Sequence, residues 1–293
     1  MKASRRSFLA AAAAAAALPA PAVASQTARA GSAPARPGPR IGTVTYNIAR
    51  TWDVDTIIAR LTEIGMDGVE LRTTHAHGVE PTLGPQQRAS VRKRFEDSPI
   101  RLAGLGTVCE YHAADPAILR KNIDETKAWV LLARDVGCPS VKVRPNGLRR
   151  DVPEEQSLEQ IGRALRECAA FALEHGVRIQ LEVHGPETSR LPRIRRILDH
   201  ADTHPGLWVC WNCNQEDLLD GGIEANFNLV RSRIGQVHMR DLFVEEYPAR
   251  RLLGLLHEIA FEGFCFAEIP ESADPVRVLK YFRGMFRAYQ NII

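Results

Sequence analysis

Apolar residues recur along this chain in two alternating rhythms. Short, nearly continuous apolar runs of strand length are followed by longer stretches in which apolar side chains return every three or four positions. The first run is IGTVTY at 41–46, and the stretch from Asp53 to about Ile64 puts Ile57, Ile58, Leu61 and Ile64 on one helical face. The second run is DGVELR at 67–72, ahead of a helix near 85–97. The third, IRLAGLGTV at 100–108, precedes a long helix near 116–136, with Asp115 as its N-cap and Pro116 as its first residue. SVKVRP at 140–145 leads into a helix near 155–175 that Gly176 ends, and RIQLEVHG at 178–185 into one near 190–201. LWVCWN at 207–212, GQVHMRD at 235–241 and FCFAEIP at 264–270 are followed by helices near 223–232, 249–260 and 275–289.

Strict strand–helix alternation calls for a parallel sheet. Eight units in about 250 residues predict an α/β fold, a single (β/α)8 TIM barrel over 40–293. A doubly wound open sheet is the alternative. It usually has fewer strands, and its dinucleotide-binding form needs a G-x-G-x-x-G turn that is absent after the first run.

The first 39 residues do not share the pattern. Residues 1–24 read MKASRRSFLAAAAAAAALPAPAVA: a basic start, an Ala-rich apolar run and a small-x-small end at Ala22-Val23-Ala24. Arg5-Arg6 within SRRSFL resembles a twin-arginine export signal, a route that carries folded proteins; an ordinary secretory signal is the plainer reading. The run is too short and too weakly apolar for a stable membrane span. Residues 25–39, rich in Ala, Pro, Gly and Ser without an apolar period, read as a disordered linker. The expected location is therefore periplasmic or extracellular.

Charge narrows the partners. The 293-residue chain carries a formal +3, and removing Lys2, Arg5 and Arg6 with the signal leaves zero. A nucleic-acid or membrane-surface protein would show a basic excess, so neither partner is expected. The six cysteines, at 109, 138, 168, 210, 213 and 265, do not look like a disulfide framework. Cys210 and Cys213 form a C-x-x-C, but on an extended strand residues three apart point to opposite faces, roughly 10 Å apart. That exceeds disulfide reach, and there is no second pair to complete a zinc site. Cys210 is expected inside the barrel, one layer below Asn212.

In a barrel of this kind, catalytic groups come from the carboxyl ends of several strands. Glu182, Asn212, His238 and Glu268 stand at equivalent places on the fifth to eighth strands, each flanked by apolar residues. Converging on the axis, two carboxylates, an amide oxygen and an imidazole suit one divalent cation, with Mn²⁺, Mg²⁺, Co²⁺ or Zn²⁺ favoured by the oxygen-rich set. Separate polar residues at strand ends are the competing reading, made costly by two unpaired buried carboxylates side by side. Glu70 ends the second run. His184 shares the face of Glu182, as a substrate contact or a structural His. Lys142 and Arg144 share a face on the fourth strand, for a substrate oxyanion or hydroxyl, or for a salt bridge to a barrel carboxylate. His75 and His77, in RTTHAHG, are candidates at the mouth. Trp52 and Trp211 are possible sugar-stacking walls, with core packing the stronger reading for Trp211.

LEVHG, VCWN, VHMRD and FAEIPES resemble the xylose isomerase-like TIM-barrel superfamily over nearly all of 41–290. That group includes sugar and sugar-phosphate isomerases and epimerases, inosose dehydratases and apurinic endonucleases. The resemblance implies that Glu182, Asn212, His238 and Glu268 hold the metal and that Glu182 and Glu268 form the acid–base pair. Two departures stand out: Asn212 replaces the family's Asp, and Gln215 replaces a substrate-contacting His. Arg240-Asp241 fits the family's His-x-Lys/Arg-Asp pattern, with Arg240 near substrate and Asp241 expected to orient His238 or Arg240.

The implied activity is a divalent-metal-dependent isomerase or epimerase moving a proton through an enediolate of a non-phosphorylated sugar or keto-sugar. Elimination from a keto-glycoside or cyclitol, as in a lyase or dehydratase, is the alternative in the same site. An apurinic endonuclease would need three zinc ions and more ligands than these. A non-catalytic exported sugar-binding protein is the reading from another class. A homo-oligomer is compatible with the sequence, which does not specify one.

Overall fold

A computed structural model describes residues 38–291; the expected signal segment and most of the linker lie outside the described residues. The eight strands are β1 (Arg40–Val44), β2 (Gly68–Arg72), β3 (Arg101–Glu110), β4 (Ser140–Arg144), β5 (Arg178–Glu182), β6 (Leu207–Asn212), β7 (Ile234–Met239) and β8 (Phe264–Ala267). Each is followed by a helix: α1 (Val54–Ile64), α2 (Pro85–Glu96), α3 (Pro116–Val136), α4 (Glu154–Glu174), α5 (Leu191–His200), α6 (Gly222–Val230), α7 (Ala249–Glu258) and α8 (Pro275–Asn291). Every strand pairs in parallel with its neighbours, and β1 closes on β8 with Arg40 opposite Phe264 and Thr43 opposite Ala267. The chain is a (β/α)8 barrel.

Local chemistry sets the helix ends. Asp53 accepts a hydrogen bond from Thr56 N at 2.8 Å, capping α1, and Gly65 ends it in the left-handed region at φ 78°. Asp115 caps α3 through Ala117 N at 2.8 Å, with Pro116 in the first turn. Apolar faces such as Ile57, Leu61 and Ile64 on α1 pack against the outside of the sheet in one continuous core.

Inside the barrel, Val44, Ala103, Phe264 and Phe266 form a separate apolar cluster. Its two phenyl rings stack at 5.2 Å. A Cβ on Gly42 or Gly68 would collide with these rings at 2.7 Å, so the two glycines make room for them. Among the described residues, no helix is long and apolar enough to cross a membrane.

The structure differs from expectation at several ends. β5 and β8 stop earlier than their apolar runs, at Glu182 and Ala267, because the last residues of each run leave the ladder to form the mouth. Glu268 N still donates to Met239 O at 2.8 Å, which fixes the backbone of that residue against β7. A 3-10 turn at Gln215–Leu218, absent from the expected elements, fills the space between β6 and α6.

Candidate metal centre and cavity

Strand parity carries the polar side chains inward. Glu182 is the last residue of β5, Asn212 the last of β6, His238 lies one residue before the end of β7, and Glu268 follows β8. Asn212 and His238 are cross-strand partners. Single ligand atoms of Glu182, His238 and Glu268 all lie within 4.8 Å of one another. His238 Nδ1 stands 3.3 Å from Glu182 Oε1 and 3.4 Å from Glu268 Oε2.

That nitrogen is buried and makes no hydrogen bond. Its position against two carboxylate oxygens is poor for hydrogen bonding and suited to a shared cation, with nitrogen and carboxylate oxygen as the donor set. The residues present therefore fit a divalent metal. Asn212 lines the cavity directly above, with its amide available as a further oxygen donor.

His238's other nitrogen is also provided for. Nε2 lies 3.3 Å from Glu70 Oε2, and Gln236 Nε2 donates to the same oxygen at 2.6 Å. A carboxylate behind a ligating imidazole fixes the ring and its tautomer. The residue in that position is Glu70 from β2, where the sequence pointed to Asp241. Gly104 and Gly106 of β3 leave the space for it: a Cβ would approach Glu70 Oε2 to 3.0 Å and Oε1 to 2.8 Å respectively.

Charge in the site is tightly coupled. Burial alone would raise the Glu182 carboxyl, but the Lys142 ammonium and the neighbouring His238 override it and hold it well below the usual range. Lys142 Nζ donates to Glu182 Oε2 at 2.7 Å, both side chains being buried. The salt bridge anticipated for the fourth strand is thus made by Lys142, and Arg144 pairs at longer range with Glu110 of β3, at 3.6 Å. Burial opposes a charge on His238, yet neighbouring Cys210, Glu70 and Glu268 raise its pKa well above the ordinary value.

Above Glu182, His238 and Glu268 opens a cavity of about 580 Å³, walled by Tyr46, Arg72, Arg144, His184, Arg240 and Asp241 among others. His184 Nδ1 is hydrogen-bonded with Asn146 Oδ1 at 2.9 Å, and burial lowers its pKa, so the ring enters the cavity neutral.

Other anticipated contacts lie elsewhere. His77 is buried in the loop after β2, with Nε2 bonded to Arg72 O at 2.8 Å and Nδ1 accepting from Val79 N at 3.0 Å; both nitrogens brace the loop. His75 bonds to Thr45 Oγ1 at 2.9 Å, stacks on Tyr46, and has its pKa lowered to about 4 by burial and nearby Arg72. Gln215 is exposed on the 3-10 turn and is not among the cavity residues. Trp211 points outward from β6, fully buried, and donates to Tyr247 Oη at 2.9 Å. Cys210 points inward beneath Asn212 and accepts from Gln236 Nε2 at 3.4 Å. Cys210 and Cys213 are free and buried.

Several solved structures share this architecture. The 3-keto-D-glucoside 4-epimerase of E. coli superposes with a TM-score of 0.71 at 13% identity, covering 85% of this chain and 99% of that one. The IOLI protein holding a zinc atom gives 0.72 at 14%, over 86% of this chain and 98% of that one. The D-psicose 3-epimerase of Clostridium cellulolyticum H10, with D-tagatose, gives 0.73 at 13%, over 86% and 99%. At these identities the likeness establishes the fold. No curated protein matches the chain in sequence. The model of the xylose isomerase-like TIM barrel family matches residues 58–285, and the chain belongs to that family.

Proposed function

We propose that this protein is an exported, divalent-metal-dependent sugar isomerase or epimerase that moves a proton through an enediolate of a non-phosphorylated sugar or keto-sugar. The observation that carries the reading is the unpartnered His238 Nδ1, facing Glu182 and Glu268 on the floor of a polar cavity. Glu182, Asn212, His238 and Glu268 would hold the metal, which when bound polarises a substrate carbonyl as a Lewis acid.

The chain's own groups do the rest. Glu268, with 23% of its side chain exposed toward the cavity, takes or returns the proton beside the carbonyl. Glu182 serves the opposite face. Its Oε2 is held by Lys142, so the ammonium sets its charge and the orientation in which it meets the substrate. His184, fixed by Asn146, offers a neutral ring to a substrate hydroxyl. The epimerase names among the structures of similar fold support this class of chemistry, and the twin-arginine-like start of the chain supports export.

The test is metal analysis of the purified protein, then NMR of a keto-sugar panel in D₂O. Deuterium enters the carbon beside the carbonyl if the reading is right. Glu182→Gln and Glu268→Gln should each lower turnover by about 10³-fold or more at unchanged fold. Sugar binding without any exchange would instead identify a binding protein.

A further inference from the structure

We infer that the molecule processed in this cavity carries a carboxylate, and that Arg144 and Arg240 hold it. The inference rests on the proton-transfer reading above and adds the substrate class.

Four cations line the cavity: Arg72, Lys142, Arg144 and Arg240. Two are already engaged. Lys142 is spent on Glu182 at 2.7 Å. Arg72 donates through Nη1 to Thr73 O and Thr74 Oγ1, both at 3.0 Å, and lies 5.4 Å from the Tyr46 ring centroid.

The other two are less fully engaged. Arg144 is only 21% exposed and makes a long ion pair from Nη2 to Glu110 Oε2 at 3.6 Å, while its Nε is buried with no partner. Glu110 is itself bound by the Asn146 amide. Arg240 makes no side-chain hydrogen bond or ion pair among the described residues, and Asp241, beside it on the rim, pairs with neither arginine. The buried Arg144 Nε is a donor left unpaired, which a ligand oxygen would satisfy, and the exposed Arg240 adds a second free guanidinium on the same cavity. The planar fork of arginine matches a carboxylate or phosphate edge.

Calorimetry with D-glucuronate, D-glucose 6-phosphate and D-glucose tests this on the full chain, alongside Arg144→Gln and Arg240→Gln. D-Glucuronate should bind about tenfold or more tightly than glucose, and lose roughly ten- to a hundredfold in Arg144→Gln. Tighter binding of D-glucose 6-phosphate than of glucuronate would overturn the carboxylate, and the non-phosphorylated substrate with it. Arg240→Gln, at an exposed residue, is the second variant should Arg144→Gln disturb the loops around Asn146. Equal or absent binding of the three probes, or anion binding untouched by both variants, overturns the inference. Deuterium exchange into the bound probe reads the underlying proton transfer separately. Arginine-dependent anion binding without exchange keeps the oxyanion site and removes the enolisation reading. Exchange into neutral keto-sugars without anion preference does the reverse.

Discussion

Glu70 is the residue on which the metal reading turns. It is completely buried, and Oε1 has no hydrogen-bond partner, so the fold bears the cost of a desolvated carboxylate beside His238. Burial would raise its pKa, but His238 outweighs that and lowers it, which keeps the charge that fixes the imidazole. Glu70→Gln should therefore weaken divalent-metal affinity by roughly 10- to 100-fold, read by metal titration, with the circular-dichroism spectrum unchanged. Affinity equal to that of the parent would mean that Glu70 only fills space. The sequence showed Glu70 at the end of an apolar run but not its partner, because Glu70 and His238 are 168 residues apart and meet only across the closed barrel. Asp241, close to His238 in sequence, was the more visible carboxylate. It follows the end of β7 at the rim, where its side chain lines the cavity mouth.

Among the elements, β3 and β6 carry the clearest consequences. Gly106 on β3 lies so close to Glu70 that Gly106→Ala brings a Cβ within 2.8 Å of Oε1 and 3.4 Å of the Arg72 Cα. Such overpacking should destabilise the fold by about 1–3 kcal/mol and weaken metal binding in step, seen in denaturant melts and the same titration. On the outer side of β6, Trp211 Nε1 donates to Tyr247 Oη, which donates to Asp217 Oδ2 at 2.6 Å.

Burial pushes the Asp217 carboxyl up to about 8. A carboxyl raised in the folded state binds more protons folded than unfolded. Its stabilising contribution is full below the ordinary value of 3.8 and is lost as pH rises through 8. Between those limits the slope approaches about 1.4 kcal/mol per pH unit. Asp217→Asn, neutral at every pH, should flatten it, so urea midpoints of parent and variant should lie closer together at pH 5 and diverge at pH 8, where the parent is the less stable. Parallel curves would contradict the raised pKa. The long α3, with Asp115 and Pro116 at its start, was legible to the residue because cap and period are local signals. The 3-10 turn after β6 was not. It is four residues long, has no apolar period, and besides its local Asn214 N–Asp217 Oδ2 cap is held by Asn226 of α6, which donates to Asp217 O.

At the scale of the molecule, the candidate ligands come from β5, β6, β7 and the residue after β8, so a bound cation would tie together half of the barrel. Added Mn²⁺ at about a hundredfold its Kd should stabilise the chelator-treated protein by about 2.7 kcal/mol. That corresponds to roughly 5–10 °C in melting temperature for a domain of this size. Identical melts with and without metal would argue against a resident cation.

The alternation of apolar runs and helical periods was enough to specify eight parallel units and a closed barrel, because each period reports the environment of its own segment. Strand parity likewise placed Glu182, Asn212, His238 and Glu268 at one end of that barrel. The pairing of Lys142 with Glu182, the support of His238 by Glu70, and the long ion pair of Arg144 with Glu110 had no local signature. They depend on barrel closure and on the register between strands far apart in the chain. A side chain's partner across an interior is chosen by that register, and no stretch of sequence shorter than the whole barrel contains it.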